Sequence, residues 1–251
     1  MNAKGPFPPL FPDSTADALA IRENDWSAFR QLENFADHWT SKSWAPDRIG
    51  YYWYLTFEDP ELAALAGQCQ KGLEHDGIDF VPRDGLHLTL LGVGHADEVP
   101  DEQLERIIAA ARNRLAEFPA FDLEIGPLAG SHSALRFSVA PWEELLELHR
   151  LLREVTAAHL PSCELAETAG FRPHLGIGYI NKPVGAAALI SDVEGLRTLR
   201  PVTVCVAAVE LVELRREGRV YRWAVRERFA LRCGLPLRRR ESASVRRPSA
   251  Q

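Results

Sequence analysis

The sequence predicts an α/β (α+β) fold: two lobes of mixed or antiparallel sheet, helices outside, and a cleft between. Three observations carry this expectation. The order strand–helix–strand–helix–strand occurs twice along the chain, which reads as an internal duplication. The middle strand of each copy carries a histidine, His87 in Leu86-His87-Leu88-Thr89-Leu90-Leu91-Gly92 and His174 in Pro173-His174-Leu175-Gly176-Ile177-Gly178-Tyr179. The two histidines are 87 residues apart, about one repeat. Side chains alternate faces along a strand, so His87 and Thr89 share one face while Leu86, Leu88 and Leu90 take the other.

Each element has a local reason. Residues 1–13 hold four prolines and are expected to be poorly ordered. Trp26, Phe29, Leu32, Phe35 and Trp39 recur at three- or four-residue spacing, which predicts an amphipathic helix with an aromatic core face. Ser41 to Arg48 reads as a loop. Ile49 to Phe57 is β-rich. Asp59-Pro60-Glu61 is a helix start, with a cap, a first-turn proline and an acid near the positive end of the dipole. That helix runs to about Leu73, and the His87 strand follows. Asp101 is placed as the cap of a second helix, with Leu104, Ile107, Ile108, Ala111 and Leu115 on one face. A strand near Phe121–Leu128 closes the first copy.

The second copy begins with a strand at Leu135–Ala140. A helix runs from Pro141 to about His159, and His174 lies on the next strand. A weaker, glycine-interrupted helix covers about Val184–Leu199. Val202–Leu214 is expected as one strand and Glu217-Gly218 as a turn. In the last strand Tyr221, Trp223, Val225 and Phe229 alternate with Arg222, Arg226 and Arg228. The organisation is therefore an N-terminal extension with one helix (1–48), a bilobal domain (49–230, with repeats of about 49–130 and 131–230), and a disordered basic tail (231–251).

Composition narrows the functional classes. At 251 residues the chain makes one larger or two small domains, and no apolar run is long enough to span a bilayer. The first residues lack an apolar secretory core. Cys69, Cys163, Cys205 and Cys233 are scattered, with no C-x-x-C pair, which fits free thiols, a cytoplasmic setting and no zinc site. The net charge is −6, yet Leu211 to Gln251 holds twelve arginines against four glutamates; that +8 leaves −14 on residues 1–210. An acidic body disfavours sequence-blind binding to long polyanions, while a local arginine face suits a phosphate-bearing ligand.

Two facing imidazoles make a specific chemistry available. An imidazole titrates near neutrality, so one ring can accept a proton while the other donates one. Flanking a phosphodiester, they suit in-line attack without a metal, with hydroxyl or N–H donors beside them to hold the non-bridging oxygens. His38, His75, His95, His132, His149 and His159 have no partner in matching repeat context and read as structural. No carboxylate stands near the pair at ligand spacing, so no metal and no cofactor is expected.

These residues resemble the 2H phosphoesterase superfamily, and more narrowly the bacterial 2'-5' RNA ligase-like proteins. That family carries a His-x-Thr/Ser-x motif in each half of a duplicated fold. His87-Leu88-Thr89-Leu90 matches in full; His174-Leu175-Gly176-Ile177 keeps the histidine but has Gly176 where a hydroxyl residue is expected. The Arg172-Pro173 lead-in is also similar. The resemblance covers about residues 50–230. It implies a metal-independent phosphodiesterase for 2',3'-cyclic phosphates or 2'-5' phosphodiesters of RNA ends or nucleotides; separately, a monomer with no membrane partner is expected. His87 and His174 would be the acid–base pair, with Thr89 and the Gly176 position at the phosphate. Tyr179 and Asn181 are candidate helpers for the lost hydroxyl. Arg172, Arg136 and the Arg222/Arg226/Arg228 row are candidate phosphate or base contacts, and Tyr52 and Trp53 candidate base-stacking rings. The alternative is a weakened module that binds a nucleotide or RNA end without efficient turnover.

Overall fold

The chain folds as two antiparallel sheets that meet at the two histidine strands. A computed structural model describes residues 5–41, 44, 48–73, 75–161 and 163–233. Most of the loop expected at Ser41–Arg48, and the tail expected beyond Leu235, lie outside the described residues.

The elements in order are α1 (Ala18–Phe29), β1 (Asn34–Phe35), α2 (His38–Ser41), β2 (Gly50–Thr56), α3 (Pro60–Lys71), β3 (Ile78–Phe80), β4 (His87–His95), α4 (Asp101–Leu115), β5 (Phe121–Gly130), β6 (Ala134–Ala140), α5 (Glu143–His159), β7 (His174–Ile180), β8 (Val184–Gly185), α6 (Ala187–Leu196), β9 (Val202–Val206), β10 (Ala208–Glu217) and β11 (Val220–Ala230). The first sheet has the order β11-β10-β2-β4 and the second β3-β7-β6-β5-β9; β1 and β8 pair separately. Each sheet draws strands from both halves of the chain. The 130/131 edge between the expected repeats falls inside the β5–β6 hairpin of the second sheet. No helix among the described residues is long and apolar enough to cross a membrane.

The caps act as expected for α3, where Asp59 accepts from the Leu62 amide at 2.8 Å and Pro60 opens the helix. In α4 the cap position is Pro100, and Asp101 is the first helical residue, where its charge favours the helix dipole. The apolar face read from the sequence, Leu104 to Leu115, is buried as a unit. Helices α4 and α5 pack on each other and behind β11 and β4.

Three expectations are corrected. The Trp26–Trp39 spacing is not one helix. Asp17 caps α1 and Asp37 accepts from the Trp39 amide at 2.8 Å to start α2, with β1 between. Trp26, Phe29, Phe35 and Trp39 are all buried, so their spacing marks burial rather than helical continuity. The Val202–Leu214 strand is two: β9 pairs with β5, and after Ala207 the chain changes sheets so that β10 pairs with β2. Residues 5–13 are held rather than loose. Arg136 Nη2 donates to the Phe7 carbonyl (2.6 Å), and Arg172 donates to those of Pro8 (3.0 Å) and Pro9 (3.3 Å). Arg172 also sits 4.0 Å over the Phe11 ring.

The last strand also differs in detail. A bulge between the pairs Leu211–Glu227 and Val212–Val225 leaves Arg226 unpaired and changes the facing of the strand. Phe229 therefore joins the main core, while Tyr221 and Trp223 turn to the cleft side with Tyr52 and Tyr54.

Candidate active site

Strands β4 and β7 pack against each other where the two sheets meet. Each begins with its histidine, and each repeats the same backbone irregularity. In β4 the register with β2 shifts after Thr89, leaving Leu90 as an extra residue. In β7 the register with β6 shifts after Gly176, leaving Ile177 as the extra residue. Both bulges fall three positions after the histidine, and an extra residue reverses the facing of the residues beyond it. The cleft face of β4 is therefore His87, Thr89 and Gly92. The cleft face of β7 is His174, Gly176 and Tyr179. These six are half-exposed, and their neighbours in each motif are buried.

The two imidazoles are held alike. His87 Nδ1 bonds the Gly85 carbonyl at 2.8 Å, and His174 Nδ1 bonds the Arg172 carbonyl at 2.8 Å. A carbonyl only accepts, so the proton of each neutral ring sits on Nδ1 and acid–base work falls to Nε2. Burial pushes the His87 pKa down to about 4, partly opposed by the Gly85 bond, so His87 is neutral at pH 7. Its ring stacks on Tyr54 (4.4 Å, 13°) and meets Trp223 edge-on (5.1 Å). Thr89 pairs with Tyr54 across the strands, and their hydroxyls lie side by side.

Tyr179 closes the other wall. His87, Tyr179 and Tyr221 line one crevice with Phe80, Gly85 and Arg219, and its open space is about 10 Å³, room for one water. His38 stacks on Tyr179 at 4.2 Å and Trp39 meets it edge-on at 5.2 Å. A wider groove lies between Thr56, Arg83, Leu86, Glu210 and Trp223.

The arginine candidates are placed otherwise. Arg172 is buried, and its guanidinium donates to the carbonyls of Pro8, Pro9, Ala169 and Phe171; it straps the N-terminal segment instead of facing the cleft. Arg136 is buried 3.9 Å from Asp25 of α1, whose carboxyl is itself pushed up by burial. Arg222, Arg226 and Arg228 each meet a carboxylate: Asp84 at 3.2 Å, Glu105 at 2.9 Å and Glu210 at 2.6 Å. Trp53 is a core residue whose Nε1 donates to Thr156 at 3.2 Å. Tyr52 stacks on Trp44 and lines a separate pocket with Gly92, His95 and Cys163. Asn181 donates to Asp79 at 2.8 Å.

Sequence reasoning passed over Tyr54 and His38. Tyr54 was legible in principle, because it shares a strand face with Tyr52. His38 had no local signal: its partners Ser133, Tyr179 and Tyr221 lie far along the chain. Among the described residues no three metal-ligating side chains converge.

Comparison with known proteins accords with this arrangement. TT0787 of Thermus thermophilus superposes with TM-score 0.54 at 22% identity, over 74% of this chain and 98% of that one. LigT of E. coli in apo form superposes with TM-score 0.56 at 18% identity over 74% and 98%. LigT complexed with 3'-AMP gives 0.52 at 18% identity over 73% and 98%. At these identities the likeness is one of fold. Among curated sequences, the transforming protein v-Fos/v-Fox of FBR murine osteosarcoma virus is 25% identical over 150 residues, which is 52% of this chain. That match spans 60% of the viral protein's length, less than two thirds. The sequence pattern of the 2'-5' RNA ligase superfamily matches residues 58–218, a span that holds both histidine strands, the whole second sheet, and β4 and β10 of the first. With more than half of its length matched, this chain belongs to the 2'-5' RNA ligase superfamily.

Proposed function

We propose that this protein is a phosphodiesterase of the 2H type that hydrolyses 2',3'-cyclic phosphates, or 2'-5' phosphodiesters, at RNA ends or in nucleotides. One observation carries the reading: two imidazoles, each pinned through Nδ1 to a backbone carbonyl, on equivalent positions of two strands that abut. His87, neutral at pH 7, is the base. It takes a proton from water as the water oxygen bonds to phosphorus. His174, in its protonated form, gives a proton to the ribose oxygen as the opposite P–O bond breaks. The product is a phosphomonoester, and the next water-exchange step returns both rings to their starting protonation. Thr89 donates to a non-bridging oxygen as charge builds there. Both proton transfers come from side chains, so the reaction draws on no cofactor.

In the relatives, LigT has been crystallised with 3'-AMP, with ATP and with phosphate. Those complexes support a nucleotide-sized, phosphate-bearing substrate here. The test is turnover of nucleoside 2',3'-cyclic phosphates in the presence of a chelator, for the unmodified chain and for His87→Ala and His174→Ala. Losses of at least about a thousandfold in each variant, with unchanged melting, are expected. Activity that survives both changes removes this site from the chemistry. Binding of the cyclic phosphate without turnover favours the weakened-module reading, which Gly176 in the second motif motivates.

A further inference from the structure

We infer that Tyr179 supplies the hydroxyl that the second motif lacks at Gly176, donating to a phosphate oxygen opposite Thr89, and that His38 is the residue that positions it. This rests on the phosphodiesterase reading above and assigns two further residues to it.

The duplication sets the comparison. With the bulges aligned, Thr89 corresponds to Gly176 and Gly92 corresponds to Tyr179. One copy has a hydroxyl residue and then a glycine; the other has a glycine and then a hydroxyl residue. Without the extra residue at Ile177, Tyr179 would point to the opposite face from His174. The register pairs His174, Gly176 and Tyr179 with Ser138, Arg136 and Ala134, alternate residues on one face of β6.

The glycine is where the phenol goes. A Cβ built on Gly176 would lie 3.6 Å from the Tyr179 hydroxyl oxygen and 4.0 Å from its ring. A threonine at 176 would extend its Oγ, about 1.4 Å further, into that same space. The hydroxyl therefore hangs over the backbone of the second motif where the missing side chain would have ended. Tyr179 also lines the crevice that His87 lines. Burial raises its pKa, so the phenol keeps its proton and remains a donor across the working range.

Holding a tyrosine there takes a wall behind it. His38 lies against the Tyr179 ring at 4.2 Å with a 31° tilt, and Trp39 and Tyr221 meet the ring edge-on at 5.2 and 5.5 Å. His38 is anchored at both nitrogens, Nδ1 to the Ser133 hydroxyl at 3.2 Å and Nε2 to the Tyr221 hydroxyl at 3.0 Å. Three anchored rings leave Tyr179 little freedom, which is what a pre-aimed oxyanion donor requires. His38 and Trp39 both precede the residues that match the family. The N-terminal segment thus completes the site of a chain whose second motif is one hydroxyl short.

The experiment compares the unmodified chain, Tyr179→Phe, the double variant Gly176→Thr/Tyr179→Phe, and His38→Ala, with His87→Ala as the inactive reference. Turnover of a nucleoside 2',3'-cyclic phosphate is measured beside the melting temperature. Tyr179→Phe should lower kcat about a hundredfold with KM within a few-fold. The double variant should regain at least tenfold, because the hydroxyl returns on residue 176 and the phenol no longer competes for the space. His38→Ala should lower kcat with the fold intact. Full activity in Tyr179→Phe overturns the inference, as does a double variant that is folded yet no faster than Tyr179→Phe. Full activity in His38→Ala overturns the positioning role. If the unmodified chain turns over no faster than His87→Ala, it is the phosphodiesterase reading that fails. Titration with inorganic phosphate then decides for Tyr179: weaker binding in Tyr179→Phe supports the donor, and equal binding overturns it.

Discussion

Lowering the pH from 7.5 to 5.0 should remove up to about 4 kcal/mol of folding stability, most of it through buried His149 and partly buried His87. His149 is 1% exposed, stacked on Phe171 at 4.5 Å and bonded to Thr168 at 2.9 Å; burial, with Arg153 and Arg150 adding repulsion, pushes its pKa down to about 4. Burial holds His87 at about 4 as well. An unfolded histidine titrates near 6.5. Between pH 4 and 6.5 the unfolded chain therefore binds more protons than the folded one, and stability rises with pH through that window. It is complete above pH 6.5 and drains away as the pH falls toward 4. At pH 5.0 the linkage works out at about 2 kcal/mol for each ring. The figure for His87 is an upper bound, since one edge of its ring faces the crevice. Against a typical total of roughly 5–15 kcal/mol this is a large fraction. Urea unfolding at the two pH values measures it. His149→Gln should cut the pH dependence by about half, and His87→Gln should do likewise. Equal midpoints at pH 7.5 and 5.0, or an undiminished pH dependence in His149→Gln, would refute the reasoning.

The same low pKa governs the rate: if His87 is the base, kcat/KM should stay level down to about pH 5 and halve near pH 4, and an acid limb at pH 6.5 assigns the base elsewhere. Arg172→Met removes the donors to Pro8 and Pro9, so thermolysin should cut at Leu10–Phe11 much faster, with stability lower by about 3 kcal/mol; unchanged cleavage would mean the strap is held by Phe7 and Phe11 packing alone. Asp25→Ala leaves Arg136 buried without its carboxylate, which should cost about 3–5 kcal/mol in chemical denaturation, and a loss under 1 kcal/mol would show that the pair is not stabilising.

How much of the site was readable depends on how far apart its parts lie in the chain. His87 and Thr89 were legible because strand alternation is local and Leu86, Leu88 and Leu90 mark the buried side. His174 was legible through repetition. Tyr179 could be named as a candidate helper, but its facing could not be derived, because it depends on a one-residue bulge that shows only against the register of β6. Arg172 looked like a phosphate ligand beside a histidine, and no pattern in residues 1–13 announces that their carbonyls would take up its donors. Tyr54 was missed by one position, since the β-rich run Ile49–Phe57 does not declare which alternate set faces the core.

The amino-acid order by itself determined the elements whose signals are short-range: the capped α3, the amphipathic α4, the histidine strands and their doubling. Local hydrogen bonds and apolar periodicity act over three or four residues, and a reader of the sequence has all of that information. Tertiary structure alone decided that Val202–Leu214 divides between two sheets, that the N-terminal segment is bound by buried arginines, and that His38 stands behind Tyr179. Each of those outcomes depends on which distant strand or ring offers a partner, and a partner that far along the chain leaves no mark on the local pattern.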